Sequence, residues 1–166
     1  MLYLLDANVL IDANRDYYPI SRVPEFWGWL EHTGLDGLVK IPIEVYEEIK
    51  QGSDDLGTWA REQRVEQALL LGEEADVQIV SRVIDQGYAS DLDDSEVEKI
   101  GRDPFLIAHA LAMPTDRCVV TTERSKPGQR RANRHIPDVC RDLGIRCCDT
   151  FGFVRELDFK TTWRSA

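Results

Sequence analysis

The chain has 166 residues, 43% hydrophobic and 30% charged, with a formal net charge of −10 at pH 7. This balance suits one compact domain with a sizeable core, and the negative charge argues against the broad basic face through which proteins usually hold nucleic acid. No apolar run approaches the roughly 20 residues of a membrane span, and no basic segment precedes a cleavable apolar one, so a cytoplasmic protein with no membrane contact is expected.

The opening "MLYLLDANVLIDA" predicts a buried strand over Leu2 to Leu5, since it is a continuous apolar run with a polar stop. Asp6 is that stop, and Val9, Leu10 and Ile11 should turn back into a core. Asp6 and Asn8 therefore stand where a strand gives way to a helix, a position that faces the ligand crevice in open α/β sheets. Taken alone, Asp6 reads as a helix cap. "YYPISRVPEFWGWLEHTG" predicts a turn and an amphipathic helix ending at Gly34, with Trp27 and Trp29 as core or partner-facing aromatics. A second short strand falls in "LDGLVKIP", and Pro42 opens a helix that stops at Gly52.

Asp54 to Gln67 reads as one helix, and "GEEADVQIVSRVIDQGY" as an amphipathic one with Val77, Val80, Val83 and Ile84 on its apolar face. Between them "ALLL" fits either a helix end or an extra strand. "DLDDSEVEKIG" is acidic and solvated, and lacks the glycine and terminal Glu of a calcium-binding EF-hand loop. "RDPFLIAHALAM" is a strong helix start at Asp103, with His109 as a core residue. There follow the strand "RCVVTT", the basic loop "ERSKPGQRRANRH", a helix in "IPDVCRDLG", the strand "IRCC" and a last helix in "TFGFVRELDF". Alternating strands and helices imply a three-layer α/β/α, Rossmann-like fold with a mostly parallel sheet. Cys118, Cys140, Cys147 and Cys148 show no CxxC pairing, so buried reduced thiols are expected rather than a zinc site or a disulfide framework.

Four carboxylates share a structural position. Asp6 ends the first strand, Glu48 lies in the helix after the second, Asp103 opens "DPFLIAHA", and Glu123 follows "CVVTT". Each has an ordinary explanation: a cap for Asp6 or Asp103, a solvated helix residue for Glu48, a loop charge for Glu123. In a parallel sheet, however, strand ends and helix starts gather along one edge. Carboxylates meeting there repel and need a counter-charge, which a hard cation such as Mg²⁺ or Mn²⁺ supplies. Two metals about 4 Å apart can activate water and stabilise the leaving oxygen in phosphodiester cleavage.

The order "LLDANVLID", "VYEEIKQG", "RDPFLIAHALA", "CVVTTE" resembles the PIN-domain nucleases, including toxins of the VapC type, and the resemblance extends to the closing "IPDVCRDLGIRCC". It implies a single PIN-like domain over 1–166 and a Mg²⁺-dependent endoribonuclease, the toxin of a type II toxin–antitoxin pair. By the same resemblance Asp6, Glu48, Asp103 and Glu123 would be catalytic metal-binding acids, Asn8 would support Asp6, and Thr121 or Thr122 would orient a carboxylate or water. Many members carry Asp where this chain has Glu123. "EEIKQG" matches the family's acid followed by an aliphatic residue, which favours Glu48 over Glu44, one helical turn earlier on the same face.

Arg124, Lys126, Arg130, Arg131 and Arg134, with His135, lie beside these acids in the basic loop. They could position an RNA backbone without reading its bases, or simply form a solvated loop. RNA, a cognate antitoxin and a second copy of the chain are the expected partners. Two alternatives stay open. A phosphatase using Asp6 as nucleophile would want an acid where Asn8 stands, and a PIN-like scaffold would bind a protein partner without catalysis. A nicotinamide-binding fold lacks its glycine-rich turn after the first strand.

Overall fold

A computed structural model describes residues 1–165. Strand β1 (Leu2–Leu5) leads into helix α1 (Ala7–Asp12), whose last turn widens into a π-helical turn at Ala13–Tyr17. Helix α2 (Pro24–Leu35) precedes the two-residue strand β2 (Val39–Lys40) and helix α3 (Ile43–Lys50). Helices α4 (Asp55–Ala60), α5 (Gln63–Leu69), α6 (Val77–Val83), α7 (Asp94–Ile100) and α8 (Asp103–Leu111) follow without an intervening strand. Strand β3 (Arg117–Val120), helix α9 (Ile136–Asp142), strand β4 (Arg146–Cys148) and helix α10 (Thr150–Glu156) close the fold.

The sheet has the order β2-β1-β3-β4 and every pairing is parallel, with Leu5 opposite Val120 and Val120 opposite Cys148. This is the expected three-layer α/β/α arrangement. β1 and the Cys118–Val120 stretch of β3 are apolar on both faces because both are covered. Tyr3 meets Phe153 of α10, which in turn meets Trp29 of α2, while α8 packs along β1 and β3. Trp27 and Trp29 are buried, as their core reading requires.

Several elements differ from the sequence expectation. The stretch Asp54 to Gln67 is two helices, because extended backbone at Glu62 interrupts it and starts α5 anew. "ALLL" ends α5 at Leu69 and then forms a parallel bridge from Leu70 to Ile41. The acidic run is itself a helix, α7, started by a capping box in which Asp93 and Glu96 satisfy each other's backbone N–H groups. Two apolar assignments fail at element starts and edges: Val77 is 76% exposed as the first residue of α6, and Ile11 is also exposed.

Candidate active site

β1 and β3 are neighbours whose onward paths diverge, β1 leading to β2 on one side and β3 to β4 on the other. The crevice beyond their carboxyl ends is thus the switch point at which open α/β sheets bind ligands. Asp6 and Thr121 are the first residues past those ends. The sheet ladder holds them together, since Asp6 N donates to Val120 O at 3.0 Å. Thr121 Oγ1 then donates to Asp6 Oδ2 at 2.9 Å and accepts from Glu123 N at 3.2 Å. Of the two threonines, Thr121 therefore orients the carboxylate, and Thr122 faces a neighbouring cleft. Asn8 Nδ2 reaches Asp6 Oδ2 at 3.5 Å, the long limit of such a bond.

The capping explanation of Asp6 holds for its position only. Asp6 occupies the cap position of α1, yet its carboxylate makes no capping hydrogen bond and is only 6% exposed. Asp103 is not a cap either: it is the first residue of α8, followed by Pro104, and Arg102 holds the cap position. Asp6, Asn8, Glu44, Glu48 and Asp103 line one cleft of about 380 Å³.

Burial pushes the Asp6 carboxyl up to about 6, with repulsion from Glu123 adding to it and the Thr121 and Asn8 bonds opposing it. Burial pushes Asp103 further, to about 8, with Asp6, Glu123 and Glu48 all adding repulsion and the Tyr88 hydroxyl pulling back. Repulsion at Asp103 thus comes from the other three acids that the sequence pattern marks, but Glu123 lines the neighbouring clefts and not this one. No such pattern marks Tyr88. It is buried, its hydroxyl meets no well-formed hydrogen bond among the described residues, and only its place in the fold, at the end of the π-helical turn Ile84–Tyr88, brings it to Asp103.

Glu48 and Glu44 separate by their partners. Glu48 is exposed on α3 and open to the cleft, whereas Glu44 turns one oxygen inward to within 3.6 Å of His109 Nε2. Both of those facing atoms are buried without a hydrogen-bond partner, so His109 is a core residue but not a satisfied one. Burial pushes its pKa down and Glu44 opposes the shift. Glu123 is partly committed: its Oε2 accepts from Ile136 N at 2.7 Å at the start of α9 and stands 3.7 Å from His135 Nδ1.

Among the described residues no three His, Cys, Asp or Glu side chains stand close enough to share one ion. The donor set nevertheless fits a hard divalent cation. Its members are oxygens, two of them are held against mutual repulsion, and Mg²⁺ keeps several waters and takes only one or two protein carboxylates. Asp6 and Asp103 are the residues that could hold it, with Glu48 at the rim.

The basic loop divides in two. Arg131 pairs with Glu96 and Asp91, tying the loop to α7, at a left-handed φ of 52°. Arg134 donates to the carbonyl oxygens of Gly87 and Asp138 and to Asp142. Both of these are structural ties. Arg124, Lys126 and Arg130 are exposed and form no ion pair among the described residues. Lys99, another residue that the sequence does not single out, lines the acid cleft and donates to Asn133 Oδ1 at 2.5 Å.

A family model described as a domain of unknown function, DUF4411, matches residues 3–161. The chain belongs to the DUF4411 family. The match takes in every residue of the cleft and all four strands except Leu2, so the site lies wholly inside the DUF4411 domain. No curated protein matches the chain. Among the described residues no helix is long and apolar enough to cross a membrane.

Proposed function

We propose that this DUF4411 chain is a metal-dependent ribonuclease of the PIN-like type, hydrolysing phosphodiester bonds in the cleft that holds Asp6 and Asp103. The observation that supports this best is a pair of carboxyls at the switch point whose ionised forms are disfavoured without a counter-charge. Asp6 and Asp103 line one cleft, and each is raised out of the usual carboxylate range by burial and neighbouring acids. A divalent cation held there would favour the ionised carboxylates, and would supply water activation and neutralisation of the phosphate.

The chain's own residues would do the remainder. Thr121 and Asn8 both hold Asp6 through Oδ2, which fixes its carboxylate at the wall of the cleft. Glu48, exposed at the rim, is placed to take a proton from water. Lys99 and Arg102 line the same cleft and offer positive charge to a phosphate. The test is incubation with single-stranded RNA in Mg²⁺ and in EDTA. Internal cleavage in Mg²⁺ alone is expected. Hydrolysis of p-nitrophenyl phosphate with intact RNA would instead favour Asp6 as a phosphatase nucleophile.

The division of the basic loop gives a second expectation. Each phosphate that a protein neutralises on a single strand adds roughly 0.7 to the steepness of log affinity against log salt. Replacing Arg124, Lys126 and Arg130 together by Ala should weaken RNA binding and flatten that slope, with the melting temperature unchanged. Replacing Arg131 and Arg134 should lower the melting temperature instead, because their guanidinium groups hold α7, the turn before α7 and α9 together. Equal slopes in wild type and the first variant, measured by anisotropy across salt concentrations, would reject the loop as an RNA-binding element.

A further inference from the structure

The acid cleft does not end at Asp103. It shares that residue with a second cleft of about 310 Å³, and the second shares Glu123 with a third of about 520 Å³. The three lie side by side along the carboxyl edge of the sheet, with Asp103 and Glu123 at their boundaries. The third segment differs in chemistry from the first. Its rim carries Tyr17 and Phe151, from opposite ends of the chain, packed edge to face at 5.2 Å between ring centroids. Each ring is left nearly half exposed, at 46% and 44%. The exposed guanidinium of Arg124, without an ion pair among the described residues, lines the same segment. So does Thr150, which is buried with its hydroxyl lacking any hydrogen-bond partner among the described residues.

We propose that this third segment is a nucleotide subsite of single-stranded RNA, in which one base stacks on the Tyr17–Phe151 pair and its phosphate meets Arg124. The inference rests on the ribonuclease reading above and extends it to how the substrate lies. A segment of 520 Å³ is in the range that holds a small organic ligand. Aromatic faces give single-strand binding with little dependence on sequence, because every base has a face to stack. The unpaired Arg124 beside exposed aromatic rings, one cleft away from the acids, favours RNA over a protein partner as occupant. A strand laid across the three neighbouring clefts would place one nucleotide here and the next phosphodiester toward Glu123 and Asp103.

The test uses the full chain carrying Asp103→Asn, which slows cleavage, and two fluorescent probes: hexauridylate and the same backbone made abasic. Tyr17→Ala with Phe151→Ala should weaken hexauridylate binding about tenfold, in line with the loss of one stacked base. Affinity for the abasic strand should not change. Tyr17→Phe with Phe151→Tyr should restore hexauridylate binding, which separates stacking from a folding defect. Unchanged hexauridylate affinity in the alanine variant would overturn the subsite, and RNA cleavage by the chain with native Asp103 would still stand. Failure of hexauridylate to bind at all would overturn the subsite and the RNA reading together.

Discussion

Asp103→Asn should reduce Mg²⁺-dependent RNA cleavage by about 10²- to 10³-fold, the scale on which removing one charged or dipolar stabiliser acts in a water-poor site, while leaving the far-ultraviolet circular dichroism unchanged. Asp103 is the acid on which the others converge: its carboxyl is raised by burial and then by Asp6, Glu123 and Glu48. Asp6→Asn should fall in the same range. Thr121→Val should do less, about tenfold, because it releases the orientation of Asp6 without removing a donor oxygen. Glu48→Gln should slow turnover, whereas Glu44→Gln should leave most of it, since Glu44 faces His109 and not only the cleft. The measurement is the initial rate on a labelled RNA, with folding checked for each variant. Wild-type turnover in Asp103→Asn would remove the site assignment altogether.

The parallel sheet and the gathering of acids were legible because both follow from local pattern. A strand that stops on an acid, followed by a helix, places that acid at a crevice whenever the sheet is parallel. Asp6 could be found that way, and Asp103 by the helix start that Pro104 marks. Their immediate surroundings could not. Tyr88 reaches Asp103 only through the π-helical turn that continues α6, and an apolar pattern does not signal such a turn. The basic loop shows the opposite limit. Sequence sees Arg130, Arg131 and Arg134 as one charged group, but Asp91 and Glu96, some forty and thirty-five residues away, claim Arg131 and leave Arg130 without an ion pair among the described residues. The exposed pair of Tyr17 and Phe151 depends on the two ends of the chain meeting, and no local spacing encodes that.

In EDTA, the wild-type protein should lose stability as pH rises from about 5 to 8, and Asp103→Asn should abolish most of that loss. Asp103 keeps its proton in the folded state up to about 8, while the unfolded chain releases it near the ordinary value of 3.8. Between those limits the folded state binds more protons, so the free energy of unfolding falls with rising pH. Asp6, raised to about 6, acts in the same sense over the lower part of the window. His109 opposes them below its usual value of 6.5, because burial lowers its pKa and the unfolded chain then binds the extra proton. The comparison with Asp103→Asn removes that contribution, since His109 is present in both proteins. Each pKa unit corresponds to about 1.4 kcal/mol, and 1 kcal/mol moves the melting temperature of a chain this size by about 2–4 °C. At pH 8 the metal-free Asp103→Asn protein should therefore melt about 5 °C or more above wild type. Adding Mg²⁺ should raise the wild-type melting temperature by binding the folded state preferentially, and should raise that of the variant much less. Parallel pH curves for the two proteins, or equal responses to Mg²⁺, would show that Asp103 neither bears the strain nor shares the ion.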